Sequence, residues 1–222
     1  LDNTLWGGLI GELTFEGINI GGHNYIGEAF KDFQKGLLRL HNKGVLLAIV
    51  SKNDEVIAME AFEKNPEMIL KKEHFVAMEI NWNDKATNII KIAREVNIGL
   101  DALVFIDDNP VEREQVKILL PEVDVPDWSI DPTSYNLKLN QMRFFDTVNL
   151  TITDKTRNKT YTDNKKREQL KENLINKEDW LKKLDTVVEV DELNSINIKR
   201  VFQLFNKTNQ FNLSTRRLTE EE

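Results

Sequence analysis

The chain has 222 residues, of which 40% are apolar and 30% charged, and a net charge of −7; a chain of this length can bury a hydrophobic core without disulfide or metal staples. The absence of cysteine and the presence of only three histidines exclude a disulfide framework, a thiol nucleophile and a histidine-rich zinc cluster. No apolar run approaches the ~18 residues of a membrane span, and no signal-peptide pattern is visible. We therefore expect a cytoplasmic protein with no membrane partner.

The charge is unevenly distributed along the chain. Residues 1–150 carry 15 Lys and Arg against 24 Asp and Glu, whereas residues 151–222 carry 15 against 13. An acidic main body argues against nucleic acid as a partner. It is compatible with a divalent cation, although ordinary solubility explains the same charge equally well.

The first 30 residues are rich in glycine and hold seven of the ten glycines in the chain. Glycines between short apolar runs are typical of hairpin turns, so we predict a small β-flap near residues 9–20. The spacing of Phe30, Phe33 and Leu37 predicts a helix over residues 29–41.

From residue 45 onwards, buried-type strands alternate with amphipathic segments. The pattern predicts strands at 45–51, 74–80, 102–106 and 123–125, and helices at 54–64, 84–96 and 110–120. Alternation of this kind predicts an α/β fold with a doubly wound, Rossmann-like parallel sheet. Ligands bind beyond the carboxyl ends of such strands, where Ser51 and Asp107 fall.

The composition changes after residue 130 and suggests three parts. We expect an α/β core over residues 1–130, a strongly charged helical connector over residues 131–185, and the start of a further α/β region over residues 186–222. In the last part, residues 186–190 suggest a strand, and the apolar stripe over residues 195–208 predicts a helix.

Four short sequence features are weak evidence for catalysis individually but are chemically consistent with one another. They are the start of the chain around Asp2, Ser51 after a strand, Lys85 at a helix start, and the acidic pair that follows another strand. Each alone is explained by a cap, a turn or a solvated side chain. Attack on a phosphate ester needs a nucleophile, neutralisation of phosphoryl oxygens and a proton for the leaving group. A carboxylate-held Mg²⁺ with a lysine and a serine hydroxyl would supply the neutralisation.

These segments resemble the haloacid dehalogenase (HAD) superfamily of phosphohydrolases. Asp2-Asn3-Thr4-Leu5 is similar to the latter part of its Asp-x-Asp-x-Thr signature, and Ser51, Lys85 and Asp107-Asp108 are similar to its second, third and fourth motifs. The FkbH-like branch (subfamily IIIC) is suggested by four further segments: Leu5-Trp6-Gly7-Gly8, Val50-Ser51-Lys52-Asn53-Asp54, Asn81-Trp82-Asn83-Asp84-Lys85 and Phe105 to Arg113. Residues 206–213 resemble the region where that branch continues into an acetyltransferase-like part.

The resemblance implies an aspartyl-phosphate mechanism. Its nucleophilic aspartate would stand immediately before Leu1, and with the first strand it would belong to a parent polypeptide that continues upstream. Asp2 would be the general acid and then the general base, and Thr4 would orient the loop. Ser51 and Lys85, with Asn53 beside them, would hold the phosphoryl group.

The resemblance also implies a Mg²⁺ site and an open substrate cleft. Asp107 would ligate the cation directly, Asp108 directly or through water, and Asp2 through its backbone carbonyl. The stretch between Gly8 and Leu38 is too short for a separate helical cap domain. An open site suits a phosphorylated small molecule or a carrier-bound substrate, with an acyl carrier protein as a possible partner.

The sequence leaves several functions open. A Mg²⁺-dependent phosphohydrolase module of a larger biosynthetic protein is the leading hypothesis. A glyceryl- or acyl-loading transferase acting with a carrier protein, and a non-catalytic binding module, are the alternatives. A receiver-type phospho-acceptor switch is disfavoured because Lys85 precedes Asp107. We interpret Trp6 as a packing residue rather than a substrate platform, and His23 as a surface loop residue.

Overall fold

The computed structural model describes residues 1–146, 161, 187–188 and 190–207. The chain divides into two compact units, Leu1–Asn173 and Leu174–Glu222. The helices and strands of the first unit are α1 (Ile10–Gly17), α2 (Tyr25–Asn42), β1 (Leu47–Ser51), α3 (Glu55–Lys64), β2 (Phe75–Ile80), α4 (Lys85–Val96), α5 (Pro110–Leu119) and α6 (Tyr135–Gln141). Short 3-10 turns lie at Lys72–His74, Leu100–Ala102, Pro132–Ser134 and Arg143–Phe145.

In the second unit, helix α7 spans Ile198–Lys207, within the helix predicted over residues 195–208. No strand forms at residues 187, 188 and 190, whereas the rest of the strand predicted over 186–190 lies outside the described residues. Most of the predicted connector and residues 208–222, which carry part of the acetyltransferase-like resemblance, also lie outside them. None of the helices in the described ranges combines the length and the apolar character that crossing a bilayer requires.

Strands β1 and β2 form a parallel pair in which Ala48 faces Ala77 and Ser51 faces Ile80. Among the described residues, 103–106 are separate from this sheet and pair with Asp124, through Phe105 N–H to Asp124 O (2.8 Å) and Asp124 N–H to Leu103 O (3.0 Å). A cavity of about 550 Å³, lined by residues 43–50 and 101–106, touches both segments. The described residues therefore show a mixed α/β fold with a two-stranded parallel sheet, and the predicted doubly wound sheet is not confirmed.

The β-flap predicted near residues 9–20 is wrong, because this segment is the helix α1, kinked at Thr14 (φ 60°, ψ 174°). The only strand-like feature left is one antiparallel bridge, in which Gly7 and Asn19 exchange hydrogen bonds of 2.9 and 2.8 Å. The glycines flank the helix instead of forming a hairpin tip; Gly8, with φ 91°, leads the chain into it. The apolar residues Leu9, Ile10 and Leu13 follow helical rather than alternating spacing, and Ile10 is fully buried.

Helices α2 to α5 begin at side-chain caps; α3, α4 and α5 begin close to the predicted positions, whereas α2 begins at Tyr25, four residues before the predicted start. Asn24 caps α2, Asp54 caps α3, Asp84 caps α4, and Asn109 precedes Pro110 at the start of α5. Because α3, α4 and α5 each begin just after an extended segment, their first residues face the carboxyl edge of the sheet.

The main hydrophobic core joins the start of the chain to residues beyond 130. Trp6 and Ile10 share it with Phe33 of α2 and with Tyr135 and Leu139 of α6. Gln34 crosses this core as a fully buried amide, and it donates to Leu5 O (2.8 Å) and accepts from the backbone N–H groups of residues 69 and 70 (3.0 Å each). The N-terminal loop is thus held by packing and by satisfied hydrogen bonds.

Candidate active site

The residues predicted from the sequence come together beyond the ends of β1 and of the extended segment 103–106. Ser51 is the last residue of β1 and is buried, and its carbonyl accepts the N–H of Asn81 just beyond β2 (3.0 Å). Asp107 follows the extended segment 103–106 directly. The common edge brings together side chains that are far apart in sequence.

The carboxylate of Asp2 is held by three donors. Its Oδ1 accepts the indole N–H of Trp6 (2.9 Å) and the backbone N–H of Ile10 (3.3 Å), and its Oδ2 accepts Nδ2 of Asn53 (3.1 Å). Asn53 is therefore at the site, but in this structure its amide donates to a carboxylate. The arrangement fixes Asp2 with both oxygens engaged.

Trp6 has a role that sequence reasoning missed. It is fully buried and packs edge-on against Phe62 with ring centroids 5.7 Å apart, so the interpretation as a packing residue is confirmed. It also donates to Asp2, which that interpretation did not include. The signal in the sequence is the four-residue spacing between Asp2 and Trp6 within one tight loop.

Thr4 joins the N-terminal loop to the acidic pair. Its hydroxyl donates to Oδ1 of Asp108 at 3.0 Å, across 104 residues of sequence. Thr4 is buried, and the backbone N–H groups of Thr4 and Leu5 both donate to Leu1 O (3.0 and 2.7 Å). The contact makes Thr4 more than a local cap, as expected for a residue that orients the loop.

Lys85 and Asp107 form a buried ion pair at 2.6 Å between Nζ and Oδ2. Both side chains are almost inaccessible, and the other oxygen of Asp107 accepts the N–H of Asn109 (2.9 Å). The first residue of α4 is thereby joined to the end of the 103–106 segment. Removing either partner would leave an uncompensated buried charge.

Asp108 lies beside this pair in a less favourable environment for a negative charge. Burial, and then the charge of Asp107, raise the pKa of Asp108 above its ordinary value. The guanidinium of Arg113 donates to the backbone carbonyls of both Asp107 (2.8 Å) and Asp108 (2.9 Å). Arg113 therefore fixes the backbone that carries both carboxylates, a role that sequence reasoning did not assign.

Ser51 is free for a ligand, since its hydroxyl makes no hydrogen bond within the described part of the chain.

Asp107 and Asp108 are the carboxylates that could hold a cation at this edge. Residues 1–146 and the other described positions contain no group of three or more His, Asp or Glu side chains arranged to bind a metal. Mg²⁺ commonly uses one or two carboxylates and keeps several waters, so two adjacent carboxylates fit it. A cation would also counter the effects of burial and of the Asp107 charge, which together raise the pKa of Asp108.

His23 is not part of this site. It is exposed, has a left-handed backbone (φ 60°), and lies near enough to Glu67 for its charge to act on that carboxylate. The interpretation of His23 as a surface loop residue is confirmed.

A solved structure provides the comparison that bears on this geometry. The chain is 44% identical to the N-terminal part of the protein BF1531 from Bacteroides fragilis, a crystal structure containing a phosphatase domain complexed with Mg, with a TM-score of 0.65. The likeness supports a phosphatase-like fold. It covers 67% of this chain and 40% of that one, so this chain spans about two fifths of its neighbour's length. No protein-family profile and no curated protein sequence matches the chain.

Proposed function

We propose that this chain is the core of a Mg²⁺-dependent phosphohydrolase of the HAD superfamily, FkbH-like branch, that acts on phosphate esters. The observation that carries the proposal is a set of contacts between distant segments: Lys85 pairs with Asp107, Thr4 donates to Asp108, and Asn53 donates to Asp2. Ser51 precedes Asn53 by two residues at the end of β1, and its hydroxyl makes no hydrogen bond within the described residues. The Mg-complexed phosphatase domain of BF1531 supports it.

Each side chain has a distinct task in this proposal. Ser51 donates its free hydroxyl to a phosphoryl oxygen, and Lys85 adds positive charge to the same group. Asp107 and Asp108 hold Mg²⁺, which when bound neutralises phosphoryl oxygens. Asp2, held by Trp6 and Asn53, gives its proton to the leaving oxygen and later takes one from water.

By the family resemblance, the covalent step would use the first aspartate of the Asp-x-Asp-x-Thr signature, two positions before Asp2. Its carboxylate would attack phosphorus and form a bond from a carboxylate oxygen to phosphorus, while the bond from phosphorus to the ester oxygen breaks as that oxygen takes the proton of Asp2. Water would then attack phosphorus, give its proton to Asp2, and release phosphate with the free aspartate.

The test measures phosphate release from an aryl phosphate by the polypeptide extended upstream of Leu1. We expect Mg²⁺-dependent release that a chelator abolishes and that Asp2→Asn lowers by roughly 10²–10⁴-fold. Asp54→Asn is the matched control, since Asp54 caps α3 near the same edge without joining the cluster, and it should keep the wild-type rate.

Three results would overturn the proposal. Release that is equal in wild type and Asp2→Asn would remove Asp2 from the chemistry. Release that requires an added carrier protein would identify a loading transferase rather than a phosphohydrolase. A protein that binds Mg²⁺ but never releases phosphate would be a binding module.

A further inference from the structure

The hydroxyl of Tyr135 reaches the loop that carries Asp2. Tyr135 is the first residue of α6 and is almost fully buried, and its Oη donates to the carbonyl of Asn3 at 2.9 Å. The two residues are 132 positions apart in sequence. Asn3 stands between Asp2 and Thr4, so the contact acts on the peptide that joins them.

The backbone of Asn3 has a left-handed conformation. Its φ of 51° is uncommon outside glycine, and asparagine adopts it more readily than most other residues. The side-chain Oδ1 of Asn3 accepts the N–H of Gly8 at 2.9 Å, and the backbone carbonyl of Asn3 accepts the hydroxyl of Tyr135. These two hydrogen bonds set the orientation of Asn3.

The orientation of Asn3 decides where both neighbours point. The Asp2 carboxylate meets Trp6 and Asn53, and the Thr4 hydroxyl meets Asp108. A rotation at Asn3 would move these groups in opposite directions and break both sets of contacts. Tyr135 therefore acts on the site through the loop backbone, without touching a reacting atom.

The Tyr135 ring is itself well fixed. Its centroid lies 5.0 Å from that of Trp128, 5.5 Å from that of Phe33 and 6.0 Å from that of Phe30. Burial, and then the charge of Asp108, raise the pKa of Tyr135 to about 12, so the hydroxyl stays a hydrogen-bond donor at any working pH. The ring presents its donor at one place.

We propose that Tyr135 is a positioning residue, whose hydrogen bond to Asn3 holds the loop of Asp2 and Thr4 in its working conformation. The catalytic consequence rests on the proposed phosphohydrolase function, whereas the ordering of the loop does not. Two measurements on Tyr135→Phe separate these parts.

Amide hydrogen exchange of the 222-residue chain tests the ordering. The N–H groups of Thr4 and Leu5 both donate to Leu1 O, so they report on this turn. We expect the hydrogen-exchange rates of both amides to be about tenfold higher in Tyr135→Phe than in wild type. Phe33→Leu is the control, because it changes packing on the same ring without removing a polar group. Unchanged exchange at Thr4 and Leu5, or the same increase in Phe33→Leu, overturns the proposal whatever the activity.

Kinetics of the upstream-extended polypeptide test the consequence. We expect Tyr135→Phe to lower kcat about five- to tenfold with KM changed less than twofold, and Phe33→Leu to lower the melting temperature while kcat stays within twofold of wild type. Faster exchange with an unchanged kcat overturns the positioning role. A wild type without phosphatase activity refutes the proposed function, and the exchange result then decides the ordering of the loop alone.

Discussion

The indole nitrogen of Trp6 lies 2.9 Å from Oδ1 of Asp2, and the ring behind it is fully buried. The same ring that anchors the N-terminal loop in the core therefore also orients the proposed general acid. The Trp6 ring contributes packing, and its N–H contributes the hydrogen bond to Asp2. A substitution that keeps an aromatic ring but removes the N–H can therefore separate the two contributions.

Replacing Trp6 with Phe keeps an aromatic ring but removes the donor to Asp2. We expect the free energy of unfolding to fall by about 1–3 kcal/mol, from lost packing and one lost charge-assisted hydrogen bond. In the upstream-extended protein kcat should fall about tenfold with little change in KM. Phe62→Leu, which loosens the same contact but leaves the donor, should keep kcat near wild type. Equal losses of kcat in the two variants would assign the effect to packing.

Replacing Asp107 with Asn leaves the buried Lys85 ammonium without its partner. We expect the free energy of unfolding in urea to fall by about 3–5 kcal/mol. The double change of Lys85→Met with Asp107→Leu should recover most of that loss, because the buried charges leave together. Saturating Mg²⁺ should raise the melting temperature of wild type and leave both variants unaffected. A Mg²⁺-induced rise that survives in Asp107→Asn would place the cation elsewhere.

Replacing Ser51 with Ala removes a hydroxyl that makes no hydrogen bond within the described residues. Stability should therefore change by less than about 0.5 kcal/mol, whereas kcat/KM for an aryl phosphate should fall roughly 10- to 100-fold through loss of a phosphoryl contact. Ser51→Thr, which restores a hydroxyl at the end of β1, should regain part of the activity. An Ala variant that loses stability but no activity would make Ser51 a structural residue.

The His41 and His74 rings meet edge-on with centroids 5.1 Å apart, and burial, then the charge of His74, lower the pKa of His41 below 6.5. Below about pH 6.5 His41 therefore binds more protons in the unfolded chain than in the folded chain, so its contribution to stability falls as the pH falls through that window. We expect a lower free energy of unfolding at pH 5.5 than at pH 7.5. His41→Phe should flatten the dependence, whereas His23→Asn, in an exposed loop, should preserve it. A slope that is identical in His41→Phe and wild type would trace the pH dependence to other groups.

The strand ends were predictable because buried strands leave a strong local pattern. A continuous apolar run ends at Ser51, another ends just before Asp107, and caps mark the helices that follow, so Ser51, Lys85 and Asp107 could be located from the sequence alone. The same pattern located Asp108 as the second residue of the acidic pair, whereas the family resemblance supplied Thr4, Asn53 and the roles of all these residues.

Other features could not be predicted because they depend on contacts distant in sequence. The glycines of segment 9–20 are compatible with a hairpin as well as with a helix boundary. The helix is the conformation in which Ile10 is fully buried, and that burial depends on distant residues. The bond from Tyr135 to Asn3 spans 132 residues and leaves no local signature. Extended backbone at 103–106 was predicted, but its pairing depends on neighbours that local pattern does not specify.

The Lys85–Asp107 pair makes each residue the counter-ion of the other. A cation that binds Asp107 and an anion that binds Lys85 therefore both compete with this ion pair. Binding of either ligand weakens the ion pair and so favours binding of the other ligand. Linkage requires the effect to be reciprocal, so the factor by which Mg²⁺ tightens phosphate binding equals the factor by which phosphate tightens Mg²⁺ binding. Under the proposed function, one buried contact would make the site cooperative between ligands of opposite charge, and the pair itself carries no net charge until both ligands are present.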